Sequence, residues 1–293
     1  MNQKLRRLVA YTSAVAIVGA MTLPIIAGTT AANASVRASK SLSHEQIARN
    51  FLSHLRIGQP AGRMSAVGPN FKSYNWSGYA DTPPTSGGST YTAVKGSWKE
   101  PTAKCPASGI ALAAFWTGID GFSSSTVEQD GTIIECIAGV ASYFDWWEMY
   151  PTNAVQVVAA VSPGDAIKSS VSFSGGTYTL TVTDSTNPAS SFTTAQACGS
   201  SPACVNSSAE WIAEAPCCKN KAGTLVYNLA KFGTWKLTSA SRTYNGTAGK
   251  ISGGPTVNKI TMVSQKNVAK IKALPGALLS SGTAFNDVWK SAS

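Results

Sequence analysis

The spacing of its short apolar alternations limits most what this chain can become. From Asn75 onward, runs of eight to ten residues recur at 91–98, 110–119, 125–134, 141–149, 154–162, 208–215, 230–238 and 256–265. Turn-forming residues separate them. Val171 and Phe173, then Tyr178, Leu180 and Val182, alternate around Ser174-Gly175-Gly176-Thr177, the pattern of a hairpin. A period of two puts every second side chain on one face of a strand, which an amphipathic helix cannot match. Charged residues make up only 13% of the chain, and there are 26 glycines, so long solvated helices are excluded too. With 293 residues and no internal repeat, the chain can bury one large core. The pattern predicts an all-β fold, a single β-sandwich.

The N-terminus reads differently. Lys4, Arg6 and Arg7 precede a mostly apolar stretch from Leu8 to Ala27, and Ala32-Asn33-Ala34 has the small-x-small form of a cleavage site. Residues 1–34 are expected to be a signal peptide, which makes the protein secreted (extracellular), with no membrane attachment after signal cleavage. Six cysteines suit that oxidising destination. Residues 41–56 carry the one amphipathic helix pattern: Ser43 and Gln46 have capping-box spacing, and Ile47, Phe51, Leu52 and Leu55 share a face. A turn-rich stretch, Gly58 to Pro69, follows. The division expected is a signal peptide at 1–34, an N-terminal helical pro-segment at 35–70 and a β-sandwich domain at 71–293. A permanent helix packed on the body is the alternative.

The formal charge of +10 suggests a nucleic-acid binder until it is mapped. Residues 1–70 hold eight bases against Glu45 alone, residues 71–210 hold 5 bases and 11 acids, and residues 211–293 hold 11 bases and 2 acids. The C-terminal lysines are scattered, not clustered, and read as a solvated face. No nucleic acid is expected as a partner.

Elimination then narrows the chemistry. The only histidines, His44 and His54, lie in the pro-segment, so a mature body has none. Ser-His-Asp triads, Cys-His pairs and His-ligated zinc all need one. The cysteines lack paired Cys-x-x-Cys spacing, and no glycine-rich phosphate loop follows a strand. The expectation is no cofactor and no metal, with catalysis left to carboxylates, amides and hydroxyls. Asp81, Asp165, Asp184 and Asp287 sit in turn-like contexts and read as surface or turn residues. Glu148 and Glu210 are different, because each lies inside an aromatic strand, where a charge is rare unless paired or lining a cleft. Tryptophans 76, 116, 146, 147 and 211 lie nearby in sequence, either as core or as the walls of a groove.

These segments resemble a known family. Trp116-Thr117-Gly118-Ile119-Asp120-Gly121, Thr126-Val127-Glu128-Gln129-Asp130-Gly131, Trp147-Glu148-Met149-Tyr150-Pro151 and Ser208-Ala209-Glu210-Trp211-Ile212-Ala213-Glu214 occur in the order seen in the glutamic peptidases, family G1 or eqolisins. Asn75-Trp76-Ser77-Gly78-Tyr79 is similar to the start of the mature enzymes, and the wording of the motifs is closer to the bacterial branch. The resemblance implies a β-sandwich of two curved antiparallel sheets, concanavalin- or jelly-roll-like, and a pepstatin-insensitive, acid-acting endopeptidase. Matched motif by motif, it implies catalytic roles for Gln129 and Glu210 and substrate-binding positions at Trp76, Trp116, Asp120 and Glu148. One departure is Ile133, where fungal members carry Asp four residues after the catalytic Gln. The partners implied are polypeptide substrates, taken by a monomer.

Three further expectations follow. A charged His44 and His54 would release the pro-segment, upon acidification, from the acidic 71–210 region. Cys105 pairs with Cys136, while Cys217 and Cys218 each pair with Cys198 or Cys204. The competing function is a secreted carbohydrate-active or carbohydrate-binding protein, using Glu148 and Glu210 as a carboxylate pair or only the tryptophan platform; a purely adhesive surface protein is a third.

Overall fold

The computed structural model describes residues 63–67, 70–84, 90–152, 154–217 and 225–293. The signal peptide and the helix expected at 41–56 lie outside the described residues. The described residues form eighteen strands. β1 Arg63–Val67, β2 Asn70–Ser73, β3 Trp76–Thr82, β4 Tyr91–Lys99, β5 Ile110–Ile119 and β6 Val127–Ile137 come first. β7 Val140–Tyr150, β8 Val155–Ala160, β9 Ala166–Ser174, β10 Thr177–Asp184, β11 Phe192–Ala197 and β12 Ala209–Glu214 follow. β13 Asn228–Leu229, β14 Thr234–Tyr244, β15 Thr247–Gly249, β16 Thr256–Val263, β17 Ile271–Pro275 and β18 Phe285–Trp289 complete the set. The stretch read as turns before Pro69 contains β1, because pairing with β2 and the edge of the sheet imposes an extended conformation on it.

The first sheet runs β8-β7-β6-β5-β12-β3-β16-β2-β1, and the second runs β15-β14-β4-β9-β10-β11. Two features depart from a pair of separate antiparallel sheets. β2 pairs parallel to β16 and β13 parallel to β5. The sheets are also continuous, since β17 and β18 carry the ladder from β16 to β14, whose residues Thr234–Leu237 pair with β18 before Thr238 onward pairs with β4. An irregularity between Thr238 and Ser241, with Ser239 at a φ of 53°, makes the bend at that crossing.

Local sequence accounts for the strands. β9 and β10 close through a two-residue turn in which Gly175 and Gly176 take φ of 56° and 82°, the left-handed pair a tight hairpin requires. Outward Thr and Ser alternate there with buried Ile167, Val171, Tyr178, Leu180 and Val182. β5 lies between β12 and β6 and is buried on both faces, so it reads as a continuous apolar run. The core between the sheets centres on Trp235, whose ring stacks on Phe115 at 5.2 Å and meets Trp98 edge-on at 5.6 Å. A second apolar layer, including Trp76, Trp116, Trp146 and Ile212, covers the opposite face of the first sheet.

The carboxyls overturn the surface half of a sequence expectation and keep the turn half for Asp165 and Asp184. Asp81, Asp165, Asp184 and Asp287 are 0, 6, 0 and 0% exposed. Asp81 pairs with Arg242 at 2.9 Å, Asp165 accepts from the Ser162 amide, and Asp184 accepts from the Thr186 and Asn187 amides. They bind turns and a buried arginine from within. All 11 acids of residues 71–210 are buried, so that region offers no acidic surface for a charged pro-segment.

The cysteine pairing also differs. Cys105 bonds Cys136, as the spacing suggests. Cys198 bonds Cys204 across a short loop with Cα atoms 5.9 Å apart, which leaves neither available to Cys217 or Cys218. Cys217 is disulfide-bonded as well.

Candidate active site

Strand register brings the key side chains into one row. Glu210 on β12 pairs with Gly118 on β5, Gly118 pairs with Gln129 on β6, and Gln129 pairs with Glu148 on β7. Directly paired residues share a face. Glu210 and Gln129 therefore stand on the same side of the sheet, two strand spacings or roughly 9–10 Å apart at Cα, with the Trp116 ring leaning over the glycine that separates them. Gly118 makes room for that ring. A Cβ there would lie 2.9 Å from the Trp116 ring and 3.2 Å from Gln129 Cβ.

Gln129 and Glu148 are tied to each other. Gln129 Nε2 donates to Glu148 Oε2 at 2.7 Å, which fixes the amide's orientation. Glu210, Gln129 and Glu148 are each 0% exposed. Burial is the main force pushing the Glu210 carboxyl well above its ordinary range; the Asp120 and Glu128 charges push the same way, and the Ser208 hydroxyl opposes them. Such a group keeps its proton where a solvated carboxyl has lost it.

The row one step along the strands repeats the design with indoles. Ile212, Trp116, Gly131 and Trp146 are in register, with a glycine between the two tryptophans. The Trp116 indole donates to Glu214 Oε2 at 2.9 Å, and Glu214 Oε1 accepts from Asn75 Nδ2 at 3.0 Å. Trp76 meets Trp116 edge-on at 5.1 Å. The N–H groups of Trp76 and Trp146 are buried without an acceptor. Lys272, buried near Glu214, has its amine pushed down to about 7 by burial, against the pull of that carboxylate. Ile133 faces the same side as Gln129 and packs in this apolar layer.

Asp120 has a different place from the other expected groove residues. It sits at a φ of 71° just after β5 and gathers the loop that leads into β12. Its carboxylate accepts from the Val205, Asn206 and Ser207 amides at 2.7–2.8 Å and from the Ser207 hydroxyl at 2.8 Å. Its own amide donates to Ser208 O. The Cys198–Cys204 bridge ends where this clamp begins. Behind it, burial, the Asp120 charge and a hydrogen bond to Asp120 push Glu128 well up. Asp120 thus positions the segment that carries Glu210.

Sequence reasoning gave no site role to Gly118, Glu214 or Asn75, and placed Trp146 only among the tryptophans of the core or of a groove wall. A glycine inside an otherwise continuous apolar strand was the readable signal for Gly118. Trp146 stands two residues from Glu148, the spacing that places both on one face. Glu214 and Asn75 meet across 139 positions of sequence, which no local pattern reveals. Among the described residues, no group of three or more His, Cys, Asp or Glu side chains is arranged to hold a metal ion.

Compared with known families, residues 74–277 match the Peptidase A4 family. The chain belongs to that family. Membership makes it a peptidase of the glutamic, G1, type. The matched span contains both rows described above, from Trp76 to Glu214. Solved structures show the same fold. A scytalido-glutamic peptidase with a peptide-based transition-state analog is similar at a TM-score of 0.62 and 22% identity, over 74% of this chain and 98% of that one. SCP-B, an eqolisin in complex with the tripeptide Ala-Ile-His, aligns at a TM-score of 0.60 and 21% identity, over 74% and 98%. Aspergilloglutamic peptidase from Aspergillus niger aligns at 0.52 and 23%, over 61% and 99%. Curated protein sequences give no significant match.

Proposed function

We propose that this A4-family chain is a secreted, acid-acting endopeptidase whose Gln129 and Glu210 form the catalytic dyad, without a covalent intermediate. The row Glu210–Gly118–Gln129, with Glu148 holding the amide, carries this reading. Hydrolysis of a peptide needs a stabilised oxyanion and a proton for the leaving nitrogen. An amide N–H is a neutral donor that serves at any pH, which suits Gln129 to the oxyanion. Glu210, protonated through the acidic range, delivers one proton to the leaving nitrogen and receives one from the attacking water. Each cycle returns it to its starting state. Trp76, Trp116 and Trp146 supply an apolar wall, and the indole N–H groups of Trp76 and Trp146 suit the carbonyls of an extended polypeptide. Asp120 acts through the 205–208 loop.

The dyad is sealed from solvent in the chain described here, so a polypeptide cannot reach it as it stands. We infer that the chain is exported through residues 1–34 and matured by removal of residues 35–70. The wording of the motifs favours the bacterial branch of the family. The carbohydrate reading is weaker, because Glu148 is bonded to Gln129 and stands three strands from Glu210, roughly 14 Å at Cα, a poor start for a carboxylate pair.

The test is cleavage of an unfolded protein from pH 2 to 8 with pepstatin present, comparing wild type with Glu210→Gln. Pepstatin-resistant cleavage at acid pH that disappears in the folded variant is expected. Equal cleavage by the variant overturns the dyad.

A further inference from the structure

The second sheet turns its outer face away from the candidate active site, since the dyad lies on the far side of the first sheet. That outer face carries lysines, hydroxyls and alanines, with no acid among them. On β4, Lys95, Ser97 and Lys99 point outward; Ser97 pairs with Lys168 on β9 and Thr238 on β14, and Lys95 pairs with Ser170 and Ser241. Lys99, Lys168 and Lys236, with Ser97, Thr234 and Thr238, line an open groove of about 530 Å³ whose floor includes the buried Trp98 and Ile167 and the half-buried Ala166. The three lysines are exposed.

No carboxylate answers them. All 13 acids from residue 71 onward are buried. The neighbours that come closest in sequence, Glu100 and Asp165, turn inward: Glu100 accepts from the Trp98 indole and the Thr132 hydroxyl, and Asp165 from the Ser162 amide. The one ion pair between described side chains joins buried Arg242 and Asp81. None of the exposed large apolar side chains lies on this face, so it has no platform for stacking a base or a sugar ring.

We propose that this groove is a docking site for a linear phosphodiester polymer, holding the peptidase to an anionic surface while its catalytic side stays free. Three observations select that occupant. Uncompensated lysines call for an anion. In the acidic range, a choice that rests on the proposed function, carboxylate polymers lose their charge and phosphodiesters keep theirs. Lysines spaced by hydroxyls, with Lys95 and Lys99 roughly 13–14 Å apart along one strand, match one charge per repeat better than a densely charged chain, and phosphate oxygens accept from lysine and hydroxyl alike.

The experiment measures binding of the matured protein to poly(glycerol phosphate) at pH 4, independently of peptidase activity. Wild type is compared with Lys99→Gln/Lys168→Gln/Lys236→Gln and with Lys250→Gln/Lys266→Gln/Lys270→Gln, an exposed set elsewhere. The expected result is an affinity that falls with salt, a loss of tenfold or more in the groove variant together with a shallower salt slope, and near wild-type affinity in the other. Hydrolysis of a short peptide stays unchanged in both. Equal binding by wild type and the groove variant, or equal losses in the two variants, overturns the site. Binding of polyglutamate at pH 7 as tight as that of the phosphodiester polymer overturns the choice of ligand. Because affinity is read without turnover, failure here leaves the dyad reading untouched, and an inactive enzyme that still docks leaves the groove intact.

Discussion

The interior and the surface of this domain divide its charges almost completely. Inside lie 13 carboxyls with Arg242 and Lys272; outside, among the described residues, lie twelve lysines and no acid. The two regions answer acid in opposite ways. On the surface, no ion pair between described side chains is there to be lost on acidification. Inside, burial pushes Glu100, Asp145 and Asp287 up to about 7 and Glu135 up to about 8, so these groups are already neutral in acid. Most proteins lose native carboxylate pairs on acidification. Here few pairs exist, and the interior is most comfortable protonated.

The largest test separates the one interior carboxyl assigned to chemistry from those that only fold the chain. Glu210→Gln and Gln129→Ala should each lower turnover by roughly a thousandfold or more, with a circular dichroism spectrum and melting temperature close to wild type. Residual turnover above one tenth in either would erase that distinction.

Next comes the pH dependence of stability. Below about pH 4 both folded and unfolded chains hold Glu100, Asp145, Asp287 and Glu135 protonated. Between there and pH 7–8 only the folded chain does, so the folded state binds more protons and stability falls as pH rises. Each proton of difference costs about 1.4 kcal/mol per pH unit. Thermal melts should therefore show a melting temperature that falls steadily from pH 4 to 8. A melting temperature that climbs over this range would break the contrast between interior and surface.

Asp120→Asn should sharpen it further. The loss of charge-assisted bonds to the 205–208 loop should cost roughly 2–3 kcal/mol and lower kcat about tenfold to a hundredfold, with KM little changed. An unaltered kcat would reduce Asp120 to a purely structural clamp. Trp146→Phe removes one buried N–H and should raise KM severalfold while kcat holds, measured on an extended peptide. At the small end, Lys→Gln changes at Lys250, Lys266 or Lys270 should move stability by no more than about 0.5 kcal/mol and leave the pH–stability curve in place.

Much of the fold was legible because it is written in local pattern. The β9–β10 hairpin follows from two glycines and a period of two, and β5 from an unbroken apolar run. Strands such as β11, β17 and β18 carry no such pattern; Phe192-Thr193-Thr194-Ala195-Gln196-Ala197 is held by its pairing with β10. The carboxyls misled for a related reason. Asp184 and Asp165 have the turn contexts of surface residues, and only the packing of other strands over them puts them inside. Cys198 found Cys204 instead of a distant partner, since a short loop closes more readily than a long one.

What the sequence by itself determined was the residue inventory and the strand faces: an all-β chain, a body without histidine, and a glutamate and a glutamine on strands whose alternation aims them somewhere specific. Only the tertiary structure decided where. β12, distant in sequence from the neighbouring strands β5 and β6, aligns with them so that Glu210 and Gln129 flank Gly118, and register between distant strands is a property of the assembled sheet, not of any one segment. The burial that raises Glu210, and the absence of any acid near the outward lysines, belong to the same class, because desolvation depends on every neighbour at once.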